Sequence, residues 1–203
     1  MSSRDKILSR VTAALAPLTK RAPLPNWDRD LVVLREAHAG VDRWTLFAER
    51  FAAVNGRPMN SVAELIAYLT TNNALHGYCD PRLWPVLKSE FPAQFTVETE
   101  FDRTRVDDYQ FGITSSLGAI AETGTVILSD STSSRRLGAL APWIHVALVS
   151  REQIFLDLPA AVSAMPADPN IIWVTGPSKT ADVEGILIEG VHGPGIQIAL
   201  LVG

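Results

Sequence analysis

The chain has 203 residues, 47% of them hydrophobic, and a formal net charge of -4; this size suits one sizeable core. With no Lys/Arg block long enough to act as a polyanion-binding tail, general affinity for DNA or RNA is excluded. The single cysteine, Cys79, cannot close a disulfide within the chain, is too little for an iron-sulfur cluster, and has no His at zinc-site spacing, so neither a metal nor a cofactor is expected.

In chain order, the opening segment places Ile7, Val11, Leu15 and Leu18 on one helical face, with Ser2 or Ser3 as the N-cap. A second helix is predicted over about 41–54, with Trp44, Phe47, Ala48 and Phe51 on one side and Asn55-Gly56 as its stop. Ser61 and Glu64 stand in capping-box spacing and mark a third start, and a short fourth helix is expected near 81–88. From about Phe95 the texture changes to short apolar runs separated by turn residues: FTVETEF, TVILS, WIHVALVS, NIIWVTG and QIALLVG. Three of them, 143–150, 171–175 and 197–202, are nearly continuous hydrophobics, the pattern of strands buried on both faces of a parallel sheet. LDLPAAVSAM between two of them would be a crossover helix. The expected fold is α/β, a mainly parallel sheet flanked by helices with an N-terminal helical region. A single domain spans 1–203 in this reading, with 1–94 mainly helical and 95–203 forming the sheet.

The start of the chain lacks the pattern of a secretory leader. The most apolar stretch, Leu137 to Val149, is too short to span a bilayer and contains Pro142 and His145. A cytoplasmic protein with no membrane or nucleic-acid partner is expected.

No G-x-G-x-x-G, P-loop or G-x-S-x-G motif is present, which removes the common nucleotide and serine-hydrolase signals. FGITSSLGAIAETGTVILSD instead offers Gly-bounded turns with Thr114, Thr123 and Gly124 around one acid, Glu122. Backbone N–H groups and hydroxyls there suit a carboxylate or phosphate, and the same residues also suit a hairpin with a polar tip. Glu122 is either a nucleophile or base, or a solvated turn residue. Arg135 and Arg136 stand before the 143–150 strand, where an Arg could fork onto a ligand or lie on the surface. NIIWVTGPSKTADVE reads as strand, turn and helix, the turn lying beyond the C-terminal end of its strand. Gly176, Ser178, Lys179 and Thr180 would then sit at a helix N-terminus able to hold an anion, with Asp182 and His192 orienting donors or moving a proton. The alternative makes Ser178 an N-cap and Asp182 and Glu184 complements of the helix dipole. The 112–124 and 176–182 turns are expected to meet at one sheet edge.

GITSSLGAIAETGTVIL, RRLGALAPWIHVAL and TGPSKTADVEGILIEGVHGP, in this order and at these distances, resemble the LUD domain family over the C-terminal half of the chain. The matched positions are Gly112, Thr114, Glu122, Thr123, Gly124, Arg136, Gly176, Pro177, Ser178, Thr180, Asp182, Gly190, His192, Gly193 and Pro194. The resemblance implies kinship to the NagB/RpiA/CoA-transferase-like superfamily. It also implies a role in oxidising L-lactate to pyruvate beside partner proteins that carry iron-sulfur clusters, to which a chain with one cysteine would add none. AETG resembles the Glu-x-Gly turn of some CoA transferases, but fold kinship alone does not transfer chemistry.

Two readings follow. In the first, the chain is a subunit of a lactate-oxidising system that binds a small anion or docks to the cluster-bearing partners. In the second it is an independent enzyme acting on a sugar phosphate or CoA thioester. The candidate catalytic residues are Glu122, Asp182 and His192; the anion-binding set is Thr114, Thr123, Gly124, Arg136, Gly176, Ser178, Lys179, Thr180 and Gly193. Convergence of Glu122, Asp182 and His192 on one pocket would favour the enzyme.

Overall fold

A computed structural model describes residues 2–18, 38, 40–130, 133, 136–167, 170–181 and 186–203. The chain separates into two units, 1–37 and 38–203. In the first, helix α1 (Ser3–Leu15) starts with a reciprocal capping box between Ser2 and Asp5, and its Ile7, Leu8, Val11 and Leu15 are exposed.

In the second unit, α2 (Arg43–Ala53) is capped by the Asp42 carboxylate, which accepts from Thr45 N at 2.9 Å. It buries Trp44, Leu46, Phe47 and Phe51, and the chain then turns through a left-handed Asn55, as the Asn-Gly stop predicts. Strand β1 (Arg57–Met59) precedes α3 (Val62–Thr71), where Ser61 accepts from Glu64 N and the Glu64 carboxylate accepts from Asn60 N. β2 (His76–Cys79), the short α4 (Trp84–Leu87), β3 (Thr96–Glu98), β4 (Phe111–Ser115), β5 (Gly118–Ile120) and β6 (Thr125–Ser129) follow. Then come α5 (Leu137–Leu140), β7 (Ile144–Ser150), β8 (Ile154–Phe155), α6 (Leu158–Ala164) and β9 (Ile171–Val174). The chain ends with β10 (Lys179–Ala181), β11 (Leu187–Glu189) and β12 (Ile196–Val202).

Six strands form one sheet in the order β1-β12-β7-β4-β2-β3, every pair parallel. One face carries Phe111, Ile113, Ile144, Val146, Leu148, Ile198 and Leu200 and packs with Leu65, Leu69 and Leu87 of α3 and α4. The opposite face, with Ala147, Val149 and Ala199, meets Trp44, Phe47 and Phe51 of α2 and Ala119, Val126 and Leu128 of a second sheet. That second sheet runs β8-β5-β6-β9, and its far side is covered by α6 through Ala161 against Ile120 and Ile127. Burial on both faces explains the unbroken apolar runs of β7 and β12.

One expectation changes. The run at 171–175 is not part of the parallel sheet: β9 pairs antiparallel with β6 at the edge of the second sheet, and Trp173 is 40% exposed. An apolar run of four residues fits an edge strand as well as a central one, because periodicity cannot separate them at that length. The part expected to be mainly helical also contributes the short strands β1 and β2, where three and four residues are too few to show alternation.

Candidate functional site

Two Thr-Gly pairs meet at one end of the second sheet. The antiparallel register sets Val126 opposite Val174, so Thr125 and Thr175 become neighbours, and their hydroxyls lie 2.8 Å apart. Thr123 extends the chain of hydroxyls at 2.7 Å from Thr125. Gly124 and Gly176 both have left-handed backbone, at φ 63° and 78°. Each faces the end of α2: a Cβ at Gly124 would collide with Phe51 N, and one at Gly176 with Val54 O. Glycine is required there both for the backbone angle and for the close approach. The Thr123-Gly124 and Thr175-Gly176 turns are therefore side by side, while Gly112, at the other end of the first motif, lies in central strand β4.

Among the described residues, the segment after Gly176 does not form the expected helix. Lys179–Ala181 is strand β10, paired antiparallel with β11 in a hairpin whose register sets Lys179 opposite Glu189. The Ser178 N–H donates to Pro194 O and the Ser178 carbonyl accepts from Gly190 N, both at 2.9 Å, so these groups bond across the loop instead of along a helix. No helix terminus is then available to bind an anion at Ser178, Lys179 and Thr180. Asp182 and Arg135 lie outside the described residues.

The expected ligand groups have partners within the chain. The Lys179 ammonium donates to Val54 O at 3.2 Å and stands 3.5 Å from the Glu189 carboxylate, a cation placed at the C-terminal end of α2. Arg136 forks onto Asp130 at 2.7 and 3.0 Å. Glu122 accepts from Leu158 N at 2.9 Å and so helps to cap α6. His192 is exposed on the 190–194 loop.

That loop borders two clefts. One, of about 420 Å³, is lined by Trp173, the 175–179 turn, His192, Gly193, Pro194 and Gln197. The adjoining cleft, of about 660 Å³, shares Leu140, His192 and Gly193 and continues along Tyr109, Gln110, Trp143 and Ile196. Gln110 and Trp143 precede β4 and β7, and Ile196 opens β12, so the clefts lie at the N-terminal edge of the parallel sheet. Open α/β sheets usually gather ligands at the opposite edge; here the 420 Å³ cleft follows the C-terminal end of β9 instead.

Beneath this edge is a polar set within the sheet. His145 pairs in register with Gln197 on β12 and Gly112 on β4, and Thr114 stands two residues beyond Gly112 on the same strand face. Thr114 Oγ1 is 2.8 Å from His145 Nε2, and the two amide atoms of Gln197 are 2.8 and 3.0 Å from Nδ1. Thr114 and His145 are 0% exposed and Gln197 1%. Burial pushes the imidazole down to about 4, which leaves it neutral near pH 7. Thr114, expected among the anion-binding residues, is thus a buried member of this set and is not among the residues lining either cleft. His145 and Gln197 were missed, although each is the lone polar side chain near the start of an apolar run, WIHVALV and IQIALLV.

Among the described residues no group of three or more His, Cys, Asp and Glu could hold a metal ion, and none of the helices is long and apolar enough to cross a membrane. Burial pushes the Cys79 thiol up to about 12, consistent with a small packed side chain.

The LUD domain family model matches residues 63–202. Lactate utilization protein C of Deinococcus radiodurans is 32% identical over 111 residues, covering 52% of each chain. The protein of that name from Bacillus licheniformis is 32% identical over 132 residues, covering 58% of this chain and 55% of the relative. That from Bacillus subtilis is 30% identical over 135 residues, covering 57% and 56%. The matched part thus spans about half the length of these relatives. The crystal structure of a DUF162 family protein from Deinococcus radiodurans superposes with a TM-score of 0.54 at 23% identity, covering 79% of this chain and 96% of that one.

Proposed function

Because the chain belongs to the LUD domain family, we propose that it is a component of a cytoplasmic system oxidising L-lactate to pyruvate. In this reading it holds a small anion in the cleft of the 175–179 and 192–194 segments, and partner proteins carry the iron-sulfur clusters. The observation that supports it is convergence: the TGPSK turn and the HGP loop, far apart along the hairpin, line one cleft, with the Thr123-Gly124 turn hydrogen-bonded behind them. Lys179 is the cation of that lining, and a bound anion would share it with Glu189. His192, on the wall common to both clefts, is placed to exchange a proton with a ligand in either.

The relatives named lactate utilization protein C supply the metabolic context. The reading as an independent enzyme of NagB/RpiA/CoA-transferase-like kinship called for Glu122, Asp182 and His192 in one pocket. Among the described residues, His192 lines both clefts, while Glu122 is held at the start of α6; Asp182 lies outside them.

Deleting the gene in its own host tests the proposal. Growth on L-lactate as sole carbon source should fail while growth on pyruvate continues, and reintroducing the gene should restore it. Undiminished growth of the deletion strain on L-lactate would overturn the assignment. Calorimetry with L-lactate, pyruvate and phosphate should show binding to the purified chain, weakened in Lys179→Ala.

A further inference from the structure

We infer that the floor of the 420 Å³ cleft is a hydrogen-bond donor, the Gln197 side-chain N–H2, held in that polarity by His145 and Thr114, and that it selects a small carboxylate as ligand. The inference rests on the reading of this cleft as the binding site and names the group that recognises the ligand. Its premise is a count of hydrogen-bond capacity. Both amide atoms of Gln197 lie within reach of one ring nitrogen, His145 Nδ1, but that nitrogen can either donate to the oxygen or accept from the amide nitrogen. Whichever it does, the other amide atom has no protein partner among the described residues, although the side chain is 1% exposed and lines the cleft.

Thr114 decides which atom is left over. Its hydroxyl is fully buried, and His145 Nε2 is its hydrogen-bond partner among the described residues. If Nε2 carried the proton, the Thr114 O–H would have no acceptor, an unmade bond in a buried site. The hydroxyl therefore donates to Nε2. In a neutral imidazole the proton then belongs on Nδ1, which donates to the Gln197 oxygen. The amide orientation that satisfies this follows from the network, since oxygen and nitrogen exchange places by a flip of the amide. What remains for the cleft is N–H2, a donor without an acceptor. Each bond in the series Thr114, His145, Gln197 polarises the next, and a carboxylate at its end completes the chain.

Nuclear magnetic resonance on the full chain reads this directly. Long-range proton-nitrogen correlation should show the Nδ1–H tautomer of His145; the Nε2–H tautomer would overturn the inference. Addition of sodium L-lactate or sodium pyruvate should shift the Gln197 N–H2 signals saturably, with sodium chloride as control. Shifts elsewhere with Gln197 unmoved, or no saturable shift with either probe, would also overturn it. Gln197→Leu should weaken binding by about tenfold or more, the loss of one donor to a charged acceptor. Gln197→Glu, which keeps the shape while replacing the donor, should weaken it likewise; unchanged affinity in either folded variant counts against the donor. Thr114→Val, which removes the hydroxyl proton and keeps the shape, should release the His145 tautomer preference. The Gln197 signals and the growth phenotype can fail separately. A deletion strain that still grows on L-lactate, with Gln197 responding to pyruvate, removes the metabolic assignment alone. A growth defect rescued equally by wild type and Gln197→Leu removes the donor alone.

Discussion

At Gly124 and Gly176 one methyl group separates a fitting residue from a clashing one. Both have positive φ, and both press on backbone atoms at the C-terminal end of α2, Phe51 and its C-cap Val54, that cannot rotate away. Gly176→Ala should therefore lower stability by roughly 3 kcal/mol, combining strained backbone with overpacking, read as a shift of the urea midpoint. An unchanged midpoint would mean that the α2 end can move. His145 gives a pH signature. Its folded value of about 4 lies below the ordinary 6.5, so the unfolded chain binds the extra proton between these limits. The contribution of the neutral, buried ring is complete above about pH 6.5 and falls away as the pH drops toward 4, by up to roughly 1.4 kcal/mol per unit. Urea unfolding of wild type against His145→Gln should show this slope in the wild type alone; parallel curves would place the titration elsewhere. Cys79, with its thiol pushed up to about 12, should resist a thiol reagent in the native chain and react once urea unfolds it.

Helix starts were legible because a cap is a local event: Ser61 with Glu64 and Ser2 with Asp5 settle their own geometry within four residues. The segment after Gly176 misled for the same reason. Ser178 followed by Asp182 and Glu184 spells an N-cap with acids in the first turn, yet Pro194 and Gly190, more than ten residues on, take the Ser178 backbone into a hairpin. The pairing of Thr123-Gly124 with Thr175-Gly176 could be anticipated from their shared composition. The Thr114, His145 and Gln197 set could not, since strand register unites three residues of three strands, and register is a property of long-range pairing. Glu122 separates a structural from a chemical role at this scale. Its carboxylate meets Leu158 N at the start of α6, so Glu122→Ala should cost about 1 kcal/mol of stability, as other lost caps do. Ligand affinity in the cleft should stay unchanged; a large loss of activity with full stability would return Glu122 to the chemistry.

For the molecule as a whole, the distribution of contacts makes 38–203 the unit that carries both fold and cleft. All described strands, the three apolar clusters and every residue lining the two clefts fall within it. Long-range parallel pairing dominates it, with β12 at the chain's end inserted between β1 and β7, so the C-terminal strand must be in place before the sheet is continuous. Truncation should therefore act unequally at the two ends. A chain beginning at His38 should retain one cooperative urea transition, because the paired strands and clustered core residues among the described residues all lie within 38–203. A chain ending before Ile196 should lose that transition altogether, since it removes Gln197 from the polar set, Ile198, Ala199 and Leu200 from both central cores, and the strand joining β1 to β7. Cooperative unfolding of the C-terminal truncation would show that β7, β4 and β2 form a stable sheet alone, and would contradict a structural role for β12 as the strand joining β1 to β7.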